Sequence, residues 1–306
     1  MSRRLVITGV DGFVGRHLAR IAVYEGYEVH GVSRSEEVPP ALAHLLAGYT
    51  PADLRAEWPE AGVPRDAAVV HLAGLAAVGP SFDAPQDYLN GNTAMVTNLF
   101  ESRTRAGAEG RIVVVSTGAV YATLTDEVSR DEASKVACTS PYVVSKLAVE
   151  NQVAYYRTRG VDAVITRPFN HFGPGQGPGF IVPDLLAGIR RLSRSDELAV
   201  GNLSTRRDYT DVRDVARAYL QLVGAETLAH GVYNIASGVS RSGAEVLAAL
   251  CAADGRPVPL TVVDTARTRA NDPAEIVGDA SRLRDEVGWA PQVTFAETIA
   301  DVVSAA

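Results

Sequence analysis

Val6-Ile7-Thr8-Gly9-Val10-Asp11-Gly12-Phe13-Val14-Gly15-Arg16-His17-Leu18 (VITGVDGFVGRHL, residues 6–18) decides the fold. An apolar, β-branched run stops at Gly9. A helical pattern begins at Gly15, with Leu18, Ala19, Ala22 and Val23 on one side. Between them, glycines recur at every third position. Gly9 permits a tight turn, Gly12 lets the backbone approach a pyrophosphate, and Gly15 lets the helix pack closely on the strand. The phosphates would lie on the helix N-terminus, at Phe13 and Val14, where backbone N–H groups lack intrahelical partners. Glycines so spaced also occur in purely structural turns, and it is the surrounding strand–helix–strand order that points to a dinucleotide.

That order continues outward. Arg4–Thr8, YEVHGVS (27–33), AAVVHLAG (67–74), GRIVVVST (110–117) and VDAVITRP (161–168) read as strands. Gly15–Glu25, NTAMVTNLFESRTRAG (92–107) and SPYVVSKLAVENQVAYYRTRG (140–160) read as helices. Strands apolar on both faces, alternating with helices, indicate a parallel sheet. Right-handed crossovers make it a doubly wound α/β fold of the Rossmann type. After Pro168, FNHFGPGQGPGF (169–180) is dense in Gly and Pro and reads as loop. A helix at Pro183–Leu192, a strand at Leu198–Gly201, a helix at 212–225 and a strand at 231–238 follow, with a final helix from Phe295. Residues 1–168, with parts of 210–253, are expected to form the dinucleotide-binding domain. Residues 169–209 and about 254–306 are expected to form a smaller, discontinuous lobe over the C-terminal edge of the sheet.

The second strand bears on which dinucleotide binds. An NAD site commonly ends this strand in a carboxylate that accepts from the ribose 2′-OH. Here it reads VHGVSRS (29–35), with Ser33 and Arg34 in that place. A guanidinium suits a 2′-phosphate, so NADP(H) is favoured and NAD(H) stays open. The plainer alternative for Arg34 is a solvated loop charge. Asp53 and Leu54 are candidates for the adenine edge. Leu72, Ala73 and Gly74 bring small residues beneath the cofactor.

Bulk properties narrow the partners. A formal net charge of −7 argues against nucleic acid, whose phosphates need a basic face. No run approaches a membrane span and the N-terminus lacks a signal-peptide core, so a cytoplasmic protein with no membrane partner is expected. Cys138 and Cys251 have no metal-type spacing and read as reduced thiols, and no metal is expected.

SPYVVSK places Tyr142 and Lys146 four apart, on one helix face. A Lys ammonium there is expected to lower the phenol's pKa, making it a proton donor or acceptor. Thr117, at the end of the preceding strand, can orient the carbonyl or alcohol that exchanges the proton. A Tyr and a Lys at this spacing are common by chance, and the glycine loop and the Thr117 hydroxyl are what make them a candidate site.

TGVDGFVG, HLAG, STGAVY and YVVSK resemble the extended short-chain dehydrogenase/reductases, in their nucleotide-sugar epimerase/dehydratase branch. The resemblance spans the chain. NHFGPGQGPGF, VGNLSTRRDYTDVRDVARAY, NDPAEIVGD and SRLRDEVGW are similar to the group of GDP-mannose 4,6-dehydratases and GDP-4-keto-6-deoxymannose (lyxo-hexulose) reductases, the reductases most of all. The resemblance implies Thr117, Tyr142 and Lys146 as the catalytic triad, with Asn92 as the helix Asn associated with it. It also implies a sugar-nucleotide substrate and a homodimer through a four-helix interface. It places Arg207 and Arg269 near the substrate diphosphate. Asn170 is expected to reach sugar or phosphate oxygens, and Asn202 and Leu203 to line the base pocket. His171 either approaches the cofactor or satisfies a loop carbonyl. Arg206 reads as a solvated neighbour, and Asp208, Asp211 and Asp214 as caps and pairs around a helix start rather than metal ligands.

Three reactions share this scaffold. Dehydratases resembling this chain carry Glu, commonly as Asp-Glu or Ser-Glu, at the places of Gly118 and Ala119, and dual epimerase-reductases carry a Cys at the place of Ala119. Neither Gly nor Ala moves a proton. Hydride transfer at one carbon remains, so a 4-ketoreductase is expected. A 4-epimerase is the alternative, and a non-catalytic NADP(H)-binding sensor or scaffold is the alternative of another class.

Overall fold

The computed structural model describes residues 3–122, 129–193, 197–268 and 273–306. The first half holds β1 (Arg3–Thr8), α1 (Phe13–Tyr24), β2 (Tyr27–Ser33), β3 (Gly48–Pro51), β4 (Ala68–His71), α2 (Pro85–Arg105), β5 (Ile112–Val115), β6 (Ser129–Arg130), α3 (Pro141–Thr158) and β7 (Ala163–Pro168). The second half holds β8 (Asn170–Phe172), α4 (Ile181–Arg191), β9 (Leu198–Val200), β10 (Arg206–Asp211), α5 (Val212–Gly224) and β11 (Val232–Ile235). β12 (Ser240–Ser242), α6 (Gly243–Ala253), β13 (Thr261–Val263), β14 (Glu275–Gly278), α7 (Ser281–Val287) and α8 (Phe295–Ala305) complete it.

Seven strands form one parallel sheet in the order β11-β7-β5-β4-β1-β2-β3. The chain winds outward in one direction from β1 and in the other from β4. The reversal between those strands leaves a crevice at their C-terminal ends, the ligand position of a doubly wound Rossmann-type fold. Alternate residues of β1 serve opposite cores. Leu5 and Ile7 pack with α1 and α5, while Val6 packs with α2 and α3. This two-sided burial is why the strands carry continuous apolar runs.

A second sheet, β12-β10-β14-β6 with β8 beside β10, is built from strands after β7 together with β6 from the first half. Helices α4, α6 and α8 share a separate core that includes Leu185, Val246, Leu250 and Ile299. Packing interleaves the two regions more finely than a boundary near residue 254 allows. Leu283 and Trp289 join the core of α1 and α5, and the Trp289 indole donates to the Asp214 carbonyl at 2.9 Å. α2 begins at Pro85, seven residues before the expected Asn92. Proline is suited to a first helical turn, where its missing N–H costs nothing. Among the described residues, no helix is long and apolar enough to cross a membrane.

Candidate active site

The glycine loop has the geometry its spacing predicts. Gly9 takes φ +66°, and a Cβ there would press on the backbone of Leu72 and Ala73 at the end of β4. Gly12 is the N-cap of α1 and offers no capping side chain. Its nearest obstacle to a Cβ is the Gly9 carbonyl at 3.1 Å. A Cβ on Gly15 would overlap that carbonyl oxygen and stand 2.7 Å from Val10 Cα. The N-terminus of α1 is thus a cradle of bare backbone, which suits a pyrophosphate. Phe13 turns its side chain away from the phosphate site. Its ring lies parallel to that of His171, 6.3 Å between centroids, and edge-on to His17 at 5.5 Å.

The end of β4 is fastened to β1. Thr8 Oγ1 accepts from the Ala73 amide at 3.1 Å and hydrogen-bonds His71 Nδ1 at 2.9 Å. Burial, aided by the Lys146 charge, pushes His71 down to about 3, so its ring is neutral. A Cβ on Gly74 would lie 3.3 Å from Asn92 Oδ1 and 3.5 Å from Lys146 Nζ. Gly74 therefore keeps open the space where cofactor and lysine would meet.

The tip of β2 holds more than its own residues. Ser33 Oγ is 2.8 Å from the Tyr49 hydroxyl, which also donates to the Ser35 carbonyl at 2.5 Å. Ser35 Oγ donates to Asp11 Oδ2 at 2.8 Å. Arg34 is exposed beside them. A carboxylate therefore does stand at the tip, supplied by the glycine loop across 24 residues rather than by β2. Inspection of the second strand alone misses it. Asp53 is engaged by Arg55, whose Nε donates to Oδ1 at 2.9 Å, and this holds the carboxyl down to about 2. Its acceptors are thus already occupied. Leu54 is buried in the core of α2 and α3.

Tyr142, Lys146, Thr117 and Asn92 come together where β5 meets α2 and α3. Thr117 caps a short 3₁₀ turn, Gly118–Val120, by accepting from the Ala119 amide at 3.1 Å. Its hydroxyl is near enough to the Tyr142 phenol to lower that group's pKa in part. Ser140 caps α3 by accepting from the Val143 amide at 3.2 Å, which sets the turn that carries Tyr142. Lys146 Nζ donates to the Val115 carbonyl at 2.9 Å. Asn92 is clamped at both ends. Its Oδ1 accepts from the Leu75 amide at 2.8 Å, and its Nδ2 donates to Ser145 Oγ at 2.9 Å. Asn92 thus ties the loop after β4 to α3.

The expected lowering of the phenol by Lys146 is not what the geometry produces. Burial raises Tyr142 to about 12, and the Thr117 hydroxyl opposes this only in part. The lysine ammonium is directed at the Val115 carbonyl, and burial lowers it to about 8. Desolvation penalises the charged form of each. The phenol is accordingly a proton donor, and the lysine is cationic only below about pH 8.

Gly118 has a steric reason to be glycine. A Cβ there would stand 3.0 Å from the Phe169 ring, which stacks on Tyr121 at 5.9 Å. Asn170 is exposed on β8, in register with Tyr209 of β10. His171 uses Nδ1 on the Phe169 carbonyl at 3.0 Å, the second of its two expected roles, and burial lowers its pKa. Arg207 Nη1 donates to the carbonyls of Arg206 and Pro273, at 2.7 and 2.9 Å. Arg206 is not simply solvated, since it pairs with Glu245 at 2.7 Å and donates to Ser240. Asn202 Oδ1 closes a turn by accepting from the Ser204 amide at 2.9 Å. Arg269 lies outside the described residues. Asp211 caps α5, Asp214 accepts from the amides of Gln292 and Val293, and Asp208 accepts from those of Ser237 and Gly238.

Residues 5–236 match the model of the NAD dependent epimerase/dehydratase family. GDP-6-deoxy-D-mannose reductase of Pseudomonas aeruginosa is 32% identical, covering 99% of this chain and 97% of the relative. The structure of RMD from Pseudomonas aeruginosa complexed with NADPH superposes with a TM-score of 0.81 at 29% identity, covering 99% of this chain and 98% of that one. The UDP-glucose 4-epimerase of Thermus thermophilus, complexed with NAD, gives a TM-score of 0.84 at 27% identity over the same shares.

Proposed function

Because the chain belongs to the NAD-dependent epimerase/dehydratase family, we propose that it is an NADPH-dependent reductase of a 4-keto-6-deoxy sugar nucleotide, of the type that converts GDP-4-keto-6-deoxymannose to GDP-rhamnose. One observation carries this reading. A Thr117, Tyr142 and Lys146 set stands beside a strand end, Gly118 and Ala119, that holds no proton-transferring group and has Phe169 filling the space above Gly118. The bound nicotinamide supplies a hydride. Tyr142 gives its proton to the carbonyl oxygen as that oxygen gains charge, and Thr117 holds the oxygen and the phenol together. Lys146 stabilises the phenolate left behind. Asn170 and Arg207 are assigned to the substrate's sugar and diphosphate.

The test is NADPH oxidation across a panel of 4-keto-6-deoxy sugar nucleotides, with the product C4 configuration read by NMR. Turnover of a GDP sugar to a single C4 epimer is expected. Turnover only of other bases removes the GDP assignment, and no turnover of any 4-keto sugar removes the reductase reading. The Asp11 carboxylate at the β2 tip favours a second reading, a 4-epimerase that retains NAD. Interconversion of 4-hydroxy sugar nucleotides without added NADPH would establish that one instead.

NADP(H) preference rests on Ser33 and Arg34, with Asp11 opposing it. Arg34→Ala is expected to weaken NADPH binding by about tenfold or more, while NADH binding changes by less than about twofold. Asp11→Asn is expected to strengthen NADPH relative to NADH, because it removes a negative charge beside the 2′-phosphate. Titration of cofactor fluorescence measures both. Equal effects of either variant on the two cofactors would rule out the assignment.

A further inference from the structure

The end of β5 is laced to α3. The Val115 carbonyl accepts from Lys146 Nζ at 2.9 Å and Ser116 Oγ donates to Glu150 Oε1 at 2.6 Å, while the hydroxyl of the next residue, Thr117, is near enough to the Tyr142 phenol to oppose the rise in its pKa. The three α3 residues, 142, 146 and 150, fall four apart and share one stripe of the helix. Two of them are the candidate catalytic pair. The third, Glu150, is buried one turn beyond Lys146.

Glu150 is held from behind. Arg167 of β7 grips its carboxylate in a fork, Nε to Oε1 at 3.0 Å and Nη2 to Oε2 at 2.7 Å. The side chains of the pair are only 8% and 9% exposed. Arg167 lies over the Tyr121 ring at 5.0 Å and donates to the Tyr121 hydroxyl at 3.1 Å. That hydroxyl donates to Asn234 Oδ1 at 2.6 Å. A buried ion pair is costly to desolvate and is weak evidence for stability, so one placed against the reacting residues points to a role there.

We propose that Glu150, anchored by Arg167, is a positioning residue of the hydride-transfer site: it fixes the β5 end that carries Thr117, and it provides the negative charge that keeps the Lys146 ammonium in place. This rests on the reading of Tyr142 and Lys146 as the reacting pair. The groups around Lys146 agree with it. Tyr142 and Glu150 lie one turn to either side of it on α3, neutral His71 of β4 is near enough to sense its charge, Tyr88 of α2 meets Tyr142 edge-on, and Arg167 of β7 forks Glu150. Of these, Glu150 is the anion. Burial draws the lysine down to about 8 even with Glu150 in place.

Glu150→Gln preserves shape and removes charge. NADPH binding, followed by cofactor fluorescence from pH 6 to 9.5, tests it without any sugar substrate. Wild-type affinity is expected to fall above about pH 8 as Lys146 deprotonates. In Glu150→Gln the midpoint is expected about one pH unit lower, with affinity at pH 6 within about twofold of wild type. Ser116→Ala, which cuts the lacing and keeps the charge, is expected to lower kcat at every pH with the midpoint unmoved. Should Glu150→Gln fail to fold, the Glu150→Met/Arg167→Met double variant keeps the interior filled and is expected to move the midpoint in the same direction by less, because the opposing Arg167 charge is removed with the carboxylate. An unshifted midpoint in the folded variant overturns the proposal. Failure of every sugar substrate alongside a shifted midpoint sinks only the substrate assignment, whereas wild type binding neither NADPH nor NADH sinks both.

Discussion

Replacing Tyr142 by phenylalanine lowers kcat for 4-keto reduction by about a thousandfold, within the range a positioned general acid contributes, and leaves NADPH affinity within about threefold. The ring itself is structural. It meets Tyr88 edge-on at 6.4 Å and is buried, and phenylalanine keeps both contacts. What is lost is the hydroxyl assigned to give its proton to the carbonyl oxygen. Because burial holds that phenol up to about 12, it is protonated at the start of each turnover across the working range, and the phenolate it leaves takes its proton back from solvent. Lys146 sets the alkaline limit. Its ammonium is lost as pH rises through about 8, so the wild-type rate is expected to be level below that value and to decline above it. Steady-state NADPH oxidation, with a melting curve to show that the fold is intact, measures the effect. A loss smaller than tenfold removes Tyr142 as the acid, and unchanged cofactor-linked activity removes the mechanism altogether.

The dependence on pH also shows why a helix spacing alone misleads. Tyr142 and Lys146 four apart suggest a lysine that acidifies a phenol. In the folded chain both groups lie in a low-dielectric interior, where each resists charging, and the ammonium turns to the Val115 carbonyl. Spacing reports which face residues share. It does not report how much water the face has lost.

The same division runs through the rest of the molecule. The parallel sheet is legible because β1, β4, β5 and β7 are largely buried and so carry short apolar runs, Leu5–Ile7, Ala68–Val70, Ile112–Val115 and Ala163–Ile165. β3 is not legible, since Gly48–Pro51 is a half-exposed edge strand with no periodicity to detect. The first turn of α2 escapes because Pro85, Gln86 and Asp87 carry no apolar pattern. Residues whose roles follow from local spacing, such as Gly9, Gly12 and Gly15, can be read directly. Residues that meet across the sheet cannot. Asp11 reaches Ser35, Tyr49 reaches Ser33, and Arg167 reaches Glu150 only because parallel strands bring distant segments side by side. Arg206 reads as a loop charge until β10 and β12 are paired and Glu245 comes within 2.7 Å.

Gly15→Ala and Gly12→Ala are expected to fail in different ways, and the difference tests the glycine loop as a phosphate cradle. An alanine methyl at 15 overlaps the Gly9 carbonyl oxygen and stands 2.7 and 2.8 Å from Val10 Cα and O. All three obstacles are backbone, so no rotamer relieves them, and α1 must move off β1. Overpacking of this kind costs about 1–3 kcal/mol, or several degrees of Tm in a chain of this size. The displaced helix no longer presents the Phe13 and Val14 amides to a phosphate, so NADPH affinity is expected to fall by about a hundredfold as well. At Gly12 the methyl meets only the Gly9 carbonyl, at 3.1 Å, and otherwise projects into open space. The apo fold should therefore keep its Tm within about a degree, because little surface is strained. The rise in Tm that NADPH gives to wild type should nevertheless disappear, since binding to the native state alone is what raises it. Thermal unfolding with and without saturating NADPH separates the cases. A Gly12→Ala protein that retains the full ligand-induced shift shows that the space above Gly12 is not where the pyrophosphate lies. A Gly15→Ala protein as stable as wild type shows that the close packing of α1 on β1 is not what the third glycine serves.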